Sequence, residues 1–318
     1  MTTTNIVLNT SMFRNQTNFV IDQTKNKMKV FVTGASGFIG SAVVKTLIEA
    51  RHQVIGLARN EESANKIKEM GAAVLMGNLE NLDSLKEGAL LADAIIHTAF
   101  IHDFTQYARA NEVEKAAIDV MGEALRGTSK PMVVAAGILG LPAIDGITTE
   151  ESIATNAARS SEGTALKWAQ EGINTSIVRL PPSVHDKGDK GFIPFIIQQA
   201  LRNKISAYPG NGENRWPAVH RLDAAKVFQL AMEKSARGAL YNAVGDNGIE
   251  LKIIAGLIGE KLNLPVGSVS GEELNKHFDW MSRFIAFDCL ASSLKTQEQL
   301  GWKPMHLDLL EDMRKNYF

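Results

Sequence analysis

The stretch Thr33-Gly34-Ala35-Ser36-Gly37-Phe38-Ile39-Gly40 constrains this chain more than any other. It follows the apolar run Met28-Lys29-Val30-Phe31-Val32 and leads into the helical pattern Ser41 to Arg51. A strand that passes through glycines into a helix answers three physical demands: a tight turn, a close approach of backbone to a pyrophosphate, and close packing of helix on strand. Gly34, Gly37 and Gly40 meet them. The helix that opens after the glycines aims unpaired N–H groups and the positive end of its dipole outward, where phosphates are stabilised. With a second strand at Gln53 to Ala58, the unit reads as a dinucleotide site made by Gly34, Ser36, Gly37, Phe38, Ile39 and Gly40.

With 318 residues, 45% of them hydrophobic, the chain can bury a large core and suggests one large or two modest domains. The 34 basic and 35 acidic side chains nearly cancel, which argues against nucleic acid and anionic membranes as partners. Cys289 is the single cysteine, so no internal disulfide can form and no second thiol is at hand for a structural zinc. That usage fits a reducing compartment and a cytoplasmic protein. No apolar run reaches the roughly 18–20 residues of a membrane span. Residues 1 to 27 are dominated by Thr, Asn and Gln and read as a disordered extension. A natural start at Met28 and a weak transit peptide, with Arg14 its lone arginine, stay open as alternatives.

Beyond the glycine turn, short apolar runs alternate with helical stretches: Gln53 to Ala58, Glu61 to Met70, Ala73 to Met76, Leu82 to Leu90, and Ala94 to His97. A long helix over Phe104 to Arg126, a strand over Pro131 to Ala135, a helix over Ile153 to Glu171 and a strand over Thr175 to Leu180 continue the series. Short strands separated by helices predict a doubly wound, Rossmann-type parallel sheet of the α/β class. The nucleotide domain is expected over 28–180. From Pro181 the texture shifts to loops marked by Pro181-Pro182, Gly188, Gly191 and Tyr208-Pro209-Gly210-Asn211-Gly212. Residues 181–318 therefore form a smaller substrate lobe, interleaved near 222–244 with a helix and a late strand that return to the sheet. Helices near Leu251 to Leu262, Gly271 to His277 and Leu307 to Asn316 complete it.

The second strand ends Gly56-Leu57-Ala58-Arg59. A carboxylate there would accept from the adenosine 2′-hydroxyl, whereas a guanidinium offers a planar fork to a 2′-phosphate. Arg59 thus favours NADP(H) over NAD(H), with Lys66 adding positive potential. The competing reading of Arg59 is a solvated charge beside Glu61 and Glu62.

The glycine loop, Asn78-Leu79, His97-Thr98-Ala99 and Val178-Arg179-Leu180-Pro181-Pro182-Ser183-Val184-His185 together resemble an extended short-chain dehydrogenase/reductase from Met28 onward. Asn214-Arg215-Trp216-Pro217-Ala218-Val219-His220-Arg221-Leu222-Asp223 resembles that family's atypical epimerase/dehydratase-like branch. The resemblance implies a sheet of about seven strands, a C-terminal substrate lobe and, often, a homodimer through two long helices. It also implies that Asn78 and Leu79 lie against the adenine, that Thr98, Ala99 and Phe100 line the ribose side, and that Pro181 and Val184 border the cofactor.

The family's usual acid, a tyrosine followed four residues later by lysine, is missing. Tyr107, Tyr208 and Tyr241 are followed at that distance by Asn111, Gly212 and Gly245, and the chain ends one residue after Tyr317. On the expected helix, Glu162 stands near the lysine position and Ala158 or Arg159 near the tyrosine. Alanine replaces the assisting serine in Val134-Ala135-Ala136-Gly137. Hydride transfer to a carbonyl builds negative charge on oxygen, which some donor must stabilise. Arg159 offers charge but is a poor proton donor. His220 titrates in a suitable range and by resemblance borders the cleft, although a lone histidine beside Val219 and Leu222 also suits a structural role. His102, Arg159, Arg215 and Trp216 are the other pocket candidates. His97 and His102 make no metal pattern, and no metal is expected. Three functions follow: an NADP(H)-dependent oxidoreductase on a small carbonyl or hydroxyl metabolite, a non-catalytic NADP(H)-binding or redox-sensing protein, and a nucleotide-sugar epimerase or dehydratase.

Overall fold

The structure, a computed structural model, describes residues 27–102, 106–153 and 159–318. The expected N-terminal extension lies, but for residue 27, outside the described residues. In chain order the first half comprises β1 (Lys29–Thr33), α1 (Phe38–Glu49), β2 (Gln53–Ala58), α2 (Glu61–Glu69), β3 (Ala73–Met76), α3 (Leu82–Leu91), β4 (Ala94–His97), α4 (Tyr107–Ala124), β5 (Met132–Gly137), α5 (Ser161–Gln170) and β6 (Thr175–Leu180). There follow β7 (Ser183–His185), α6 (Phe192–Asn203), β8 (Ser206–Pro209), β9 (Arg215–His220), α7 (Arg221–Lys234), β10 (Leu240–Asn242) and β11 (Asp246–Glu250). The chain closes with α8 (Leu251–Leu262), β12 (Val266–Val269), α9 (Gly271–Phe278), α10 (Ser282–Ile285), α11 (Leu294–Leu300) and α12 (Leu309–Asn316).

Seven parallel strands form the main sheet in the order β10-β6-β5-β4-β1-β2-β3. Alternation along β1 shows why it sits in the middle. Val30 and Val32 join one core with Val43 and Leu47 of α1 and Phe228 of α7, while Phe31 joins a second core with Leu85 of α3, Ile118 of α4 and Trp168 of α5. A strand buried on both faces is the Rossmann-type α/β arrangement expected from the sequence. Both α7 and β10 come from late in the chain, with β10 pairing in parallel with β6. No helix among the described residues is long and apolar enough to cross a membrane.

Two departures from the sequence expectation have physical causes. The region from Pro181 to His220 is more regular than its glycines and prolines suggest. It contains α6, whose Ile193, Ile196, Ile197 and Ala200 are buried at helical spacing, with Pro194 tolerated in the first turn. It also contains β7 and β9, which with β11 form a three-stranded sheet of order β11-β9-β7, and β8, which pairs with β12. A separate core around Trp216, Ile258, Phe278 and Met281 lies under these elements. The helix expected from Ile153 begins only at Ser161, with residues 154–158 outside the described ones. Arg179 takes the carbonyl of Ser152, which as N-cap of a helix starting at Ile153 would have accepted the first bond of its ladder.

Candidate cofactor and substrate cleft

A cavity of about 1570 Å³ opens at the carboxyl ends of β1 to β6. That is where open parallel sheets bind ligands, and the volume exceeds that of a drug-sized pocket. Gly34 turns at φ +72°, and the Gly37 N–H donates to its carbonyl at 2.8 Å. A Cβ on Gly40 would stand 2.0 Å from the Gly34 oxygen, so only glycine permits this approach of helix to turn. Gly37 caps α1 without a side-chain acceptor, and no acidic residue occupies the first turn. By contrast, Asn60 and Asn81 close the starts of α2 and α3 by accepting from Ser63 and Ser84. The N–H groups that open α1 are therefore left to an anion.

The remaining expected cofactor residues gather around this turn. Ser36, Phe38, Ile39, Arg59, Asn78, Leu79, Thr98, Ala99, Phe100, Pro181 and Val184 all line the cavity. Asn78 uses its side-chain oxygen locally, accepting from the Glu80 and Asn81 N–H groups at 2.9 and 3.0 Å, so its amide nitrogen is the part that faces outward chemistry. Thr98 donates to the Thr33 carbonyl at 2.8 Å and thus braces the glycine turn. Arg59 is exposed and hydrogen-bonds to no carboxylate among the described residues. Lys66, by contrast, is tied to Glu62 at 2.6 Å.

At the other end of the cavity the polar groups are interlocked. The Arg159 Nε lies 3.1 and 3.0 Å from the two Glu114 oxygens, and its Nη2 also pairs with that carboxylate. The guanidinium carbon sits 4.3 Å above the Phe100 ring centroid, where the ring's negative face attracts a cation. Glu114 is fully buried, and burial raises its carboxyl against the opposing pull of Arg159. Glu162 holds the Arg179 Nε and Nη2 at 2.7 Å each, deep in the protein. His102 lines the cavity, and burial first, then the Arg159 charge, lowers its imidazole below the ordinary range. His97 lies beneath the floor instead, its Nδ1 2.8 Å from the Thr33 hydroxyl. Burial, helped by Arg159, pushes it down to about 3.

A sequence-family model described as NAD(P)H-binding matches residues 34–141. Uncharacterized protein C2A9.02 of Schizosaccharomyces pombe is 46% identical over 92% of this chain and 100% of its own length. A 4-hydroxy-2-methyl-3-oxo-4-farnesyl-3,4-dihydroquinoline-1-oxide ketoreductase of Stigmatella aurantiaca is 27% identical over 73% of each chain. In fold the chain is similar to DesIV, a dTDP-glucose 4,6-dehydratase of Streptomyces venezuelae solved with NAD and TYD bound. That match has a TM-score of 0.71 and 18% identity over 91% of this chain and 95% of the other. The chain carries an NAD(P)H-binding domain, is homologous over nearly its whole length to the fission-yeast protein, and is similar to reductases and epimerase/dehydratases of the short-chain dehydrogenase/reductase type.

The turn is fit to hold a dinucleotide: the Gly40 cradle is one that any Cβ would fill, and no side chain caps the α1 N–H groups. Near the positions expected for tyrosine and lysine, Arg159 and Glu162 are both bound to buried partners. Ala158 lies outside the described residues.

Three pocket candidates do not reach the cavity. Arg215 is turned to Asp288, with Nε and Nη2 at 2.9 and 2.7 Å from its two oxygens. Trp216 is fully buried in the C-terminal core, behind Phe192 at a centroid distance of 5.6 Å. His220 caps α7, its Nδ1 accepting from the Leu222 N–H at 3.2 Å, and stacks on His306. All three follow from the place of β9 as the central strand of its sheet, which turns its side chains into packing on either side. The wall facing Arg159 is built instead by Tyr107, Phe192, Phe195, Trp280, Phe284 and Phe287. Helical spacing of Phe192 with Phe195 and of Trp280 with Phe284 was visible in the sequence, but it is also the signal of an ordinary core.

Proposed function

We propose that this protein is an NADP(H)-dependent oxidoreductase acting on a small carbonyl or hydroxyl metabolite through a non-standard active site. The observation that carries this reading is one cleft in which an unpaired Arg59 ends β2 beside the glycine turn while Arg159 stands over Phe100 at the far end. Bound there, the nicotinamide would supply or accept a hydride. Arg159 faces the charge that develops on a carbonyl oxygen, and Glu114 fixes its orientation. Tyr107 and His102 line the same end and offer a hydroxyl and an imidazole to the substrate. The ketoreductase relative and a 2-alkyl-3-oxoalkanoate reductase of Stenotrophomonas maltophilia, 26% identical over 67% of each chain, support ketone reduction as the class.

A second reading, a protein that binds NADP(H) without turnover, is supported by the absence of a Tyr-x-x-x-Lys pair and by the two ion pairs near the positions expected for it. The nucleotide-sugar reading is weakest. Arg159, the cation over Phe100, is already paired with Glu114, and such reactions rely on the missing tyrosine to abstract a proton. The test offers NADPH, then NADH, to the purified protein with a panel of aldehydes and ketones while nicotinamide absorbance is followed. Oxidation of NADPH by at least one carbonyl, slowed in Arg159→Gln, is expected. Tight binding with no oxidation across the panel transfers the conclusion to the second reading.

A further inference from the structure

Residues 186–191, between β7 and α6, form a strap held at several points. Asp186 accepts from the Arg221 Nη2 at 2.8 Å, and the Arg221 guanidinium lies 4.6 Å over the ring of Phe38, inside the glycine turn. Asp189 accepts from the Gly191 N–H at 2.6 Å and from the Tyr317 hydroxyl at 2.8 Å. These contacts join the strap to the glycine turn on one side and to the C-terminal helix on the other. Between the two anchors the strap presents Lys190, which is exposed and lines the same cavity as Arg59 and Lys66.

The charge balance at that spot is uneven. The Glu62 carboxyl is held below its usual range, chiefly by the hydrogen bond and charge of Lys66, and further by Arg59 and Lys190. Lys66 is paired with Glu62, while Arg59 and Lys190, which line the same cavity, form no ion pair with a carboxylate among the described residues and leave two positive charges there. A phosphate monoester carries about −1.5 to −2 at neutral pH and matches that surplus, whereas a ribose hydroxyl does not.

We infer that Lys190 is a second determinant of cofactor choice, gripping the adenosine 2′-phosphate opposite Arg59 so that NADP(H) is clamped between the glycine turn and the strap. The inference rests on the NADP(H) reading above and adds a residue from the other side of the cleft to it. The α1 N–H groups serve the pyrophosphate, so each phosphate has its own holder.

The experiment titrates the full chain with NADPH and with NADH, followed by fluorescence, for the natural protein, Lys190→Gln, Arg59→Gln and the double variant. Lys190→Gln should weaken NADPH roughly tenfold, the usual scale of one charge-assisted contact, and leave NADH within about twofold. The double variant should bind the two cofactors alike. Its unliganded melting temperature should match that of the natural protein, because both side chains are exposed. Equal weakening of NADPH and NADH by Lys190→Gln overturns the inference by placing the lysine on the pyrophosphate, and no weakening of either overturns it outright. A natural protein that prefers NADPH while Lys190→Gln keeps that preference sinks the strap alone. A natural protein without the preference sinks the NADP(H) reading, and the strap with it.

Discussion

At the glycine-turn end of the cleft the groups on offer are main-chain N–H groups presented within the seven residues Gly34 to Gly40, whereas at the aromatic end each fixed charge is held by a side chain 17 or 45 residues away. The first construction depends on backbone shape, which glycine at fixed spacing specifies locally. The second depends on ion pairs that exist only after α4, α5 and β6 have packed. The helix α5 and the residues before it thus contribute the pairs Arg159–Glu114 and Glu162–Arg179, while the glycine turn contributes backbone alone.

The comparison breaks most visibly if the two ends fail independently of one another, and Glu162→Ala is the largest test. It strands the Arg179 guanidinium in the interior without its counter-charge, and breaking a buried pair from one side costs about 3–5 kcal/mol. Denaturant unfolding should show that loss, while NADPH affinity per folded molecule stays within about twofold of the natural protein. A cofactor affinity that falls with stability would show that the two ends are one mechanical unit. Gly40→Ala comes next and acts in the opposite direction. Its methyl would collide with the Gly34 carbonyl, so NADPH binding should weaken by roughly a hundredfold, or about 3 kcal/mol. Titration of a variant shown by circular dichroism to be folded checks it, and unchanged affinity would mean that the cradle opens without cost.

His97 lies between the ends, against Thr33 on one side and within reach of the Arg159 charge on the other. Its folded-state value of about 3 lies below the unfolded 6.5, so the unfolded chain binds the extra proton first as pH falls. The contribution is complete above pH 6.5, declines by about 1.4 kcal/mol per pH unit below that, and is gone below about pH 3. At pH 5 it amounts to about 2 kcal/mol of lost stability. Unfolding free energies measured between pH 7 and 4.5 should fall less steeply in His97→Asn. An identical slope in the variant would assign the acid limb to other groups.

How much of this was legible in the sequence follows the same division. The strands Gln53–Ala58, Ala73–Met76, Ala94–His97 and Thr175–Leu180 appear where apolar period and turn residues put them, because a strand buried on both faces writes itself as a short apolar run. The glycine turn was legible for the same local reason. Trp216 was not, since an aromatic residue near a proline and a histidine looks alike whether it faces a ligand or sits one layer behind Phe192. Nor was the role of Glu114, whose position inside a charged helical stretch gives no hint that its carboxylate is buried beneath Arg159. Lys190 reads as one more surface lysine until the strap brings it to the cavity that Arg59 also lines.

His220 supplies the smallest effect and separates local from distant causes most finely. Its Nδ1 accepts from the Leu222 N–H, its Nε2 lies 3.6 Å from Asp186, and its ring stacks on His306 at 4.6 Å, none of which reaches the cavity. Burial lowers its imidazole, so the neutral ring that caps α7 is also the form favoured near neutral pH. Asparagine is a strong N-cap and alanine is not. His220→Ala should therefore cost roughly 1 kcal/mol of stability, and His220→Asn should recover most of it. Any turnover found with NADPH should change less than about twofold in either variant, since a cap contributes to α7 rather than to the reacting atoms. A fivefold or larger fall in kcat/KM with an altered pH profile, shared by both variants, would bring His220 back to the aromatic end. It would also show that Asp186, and with it the strap, transmits the state of this histidine to the cleft.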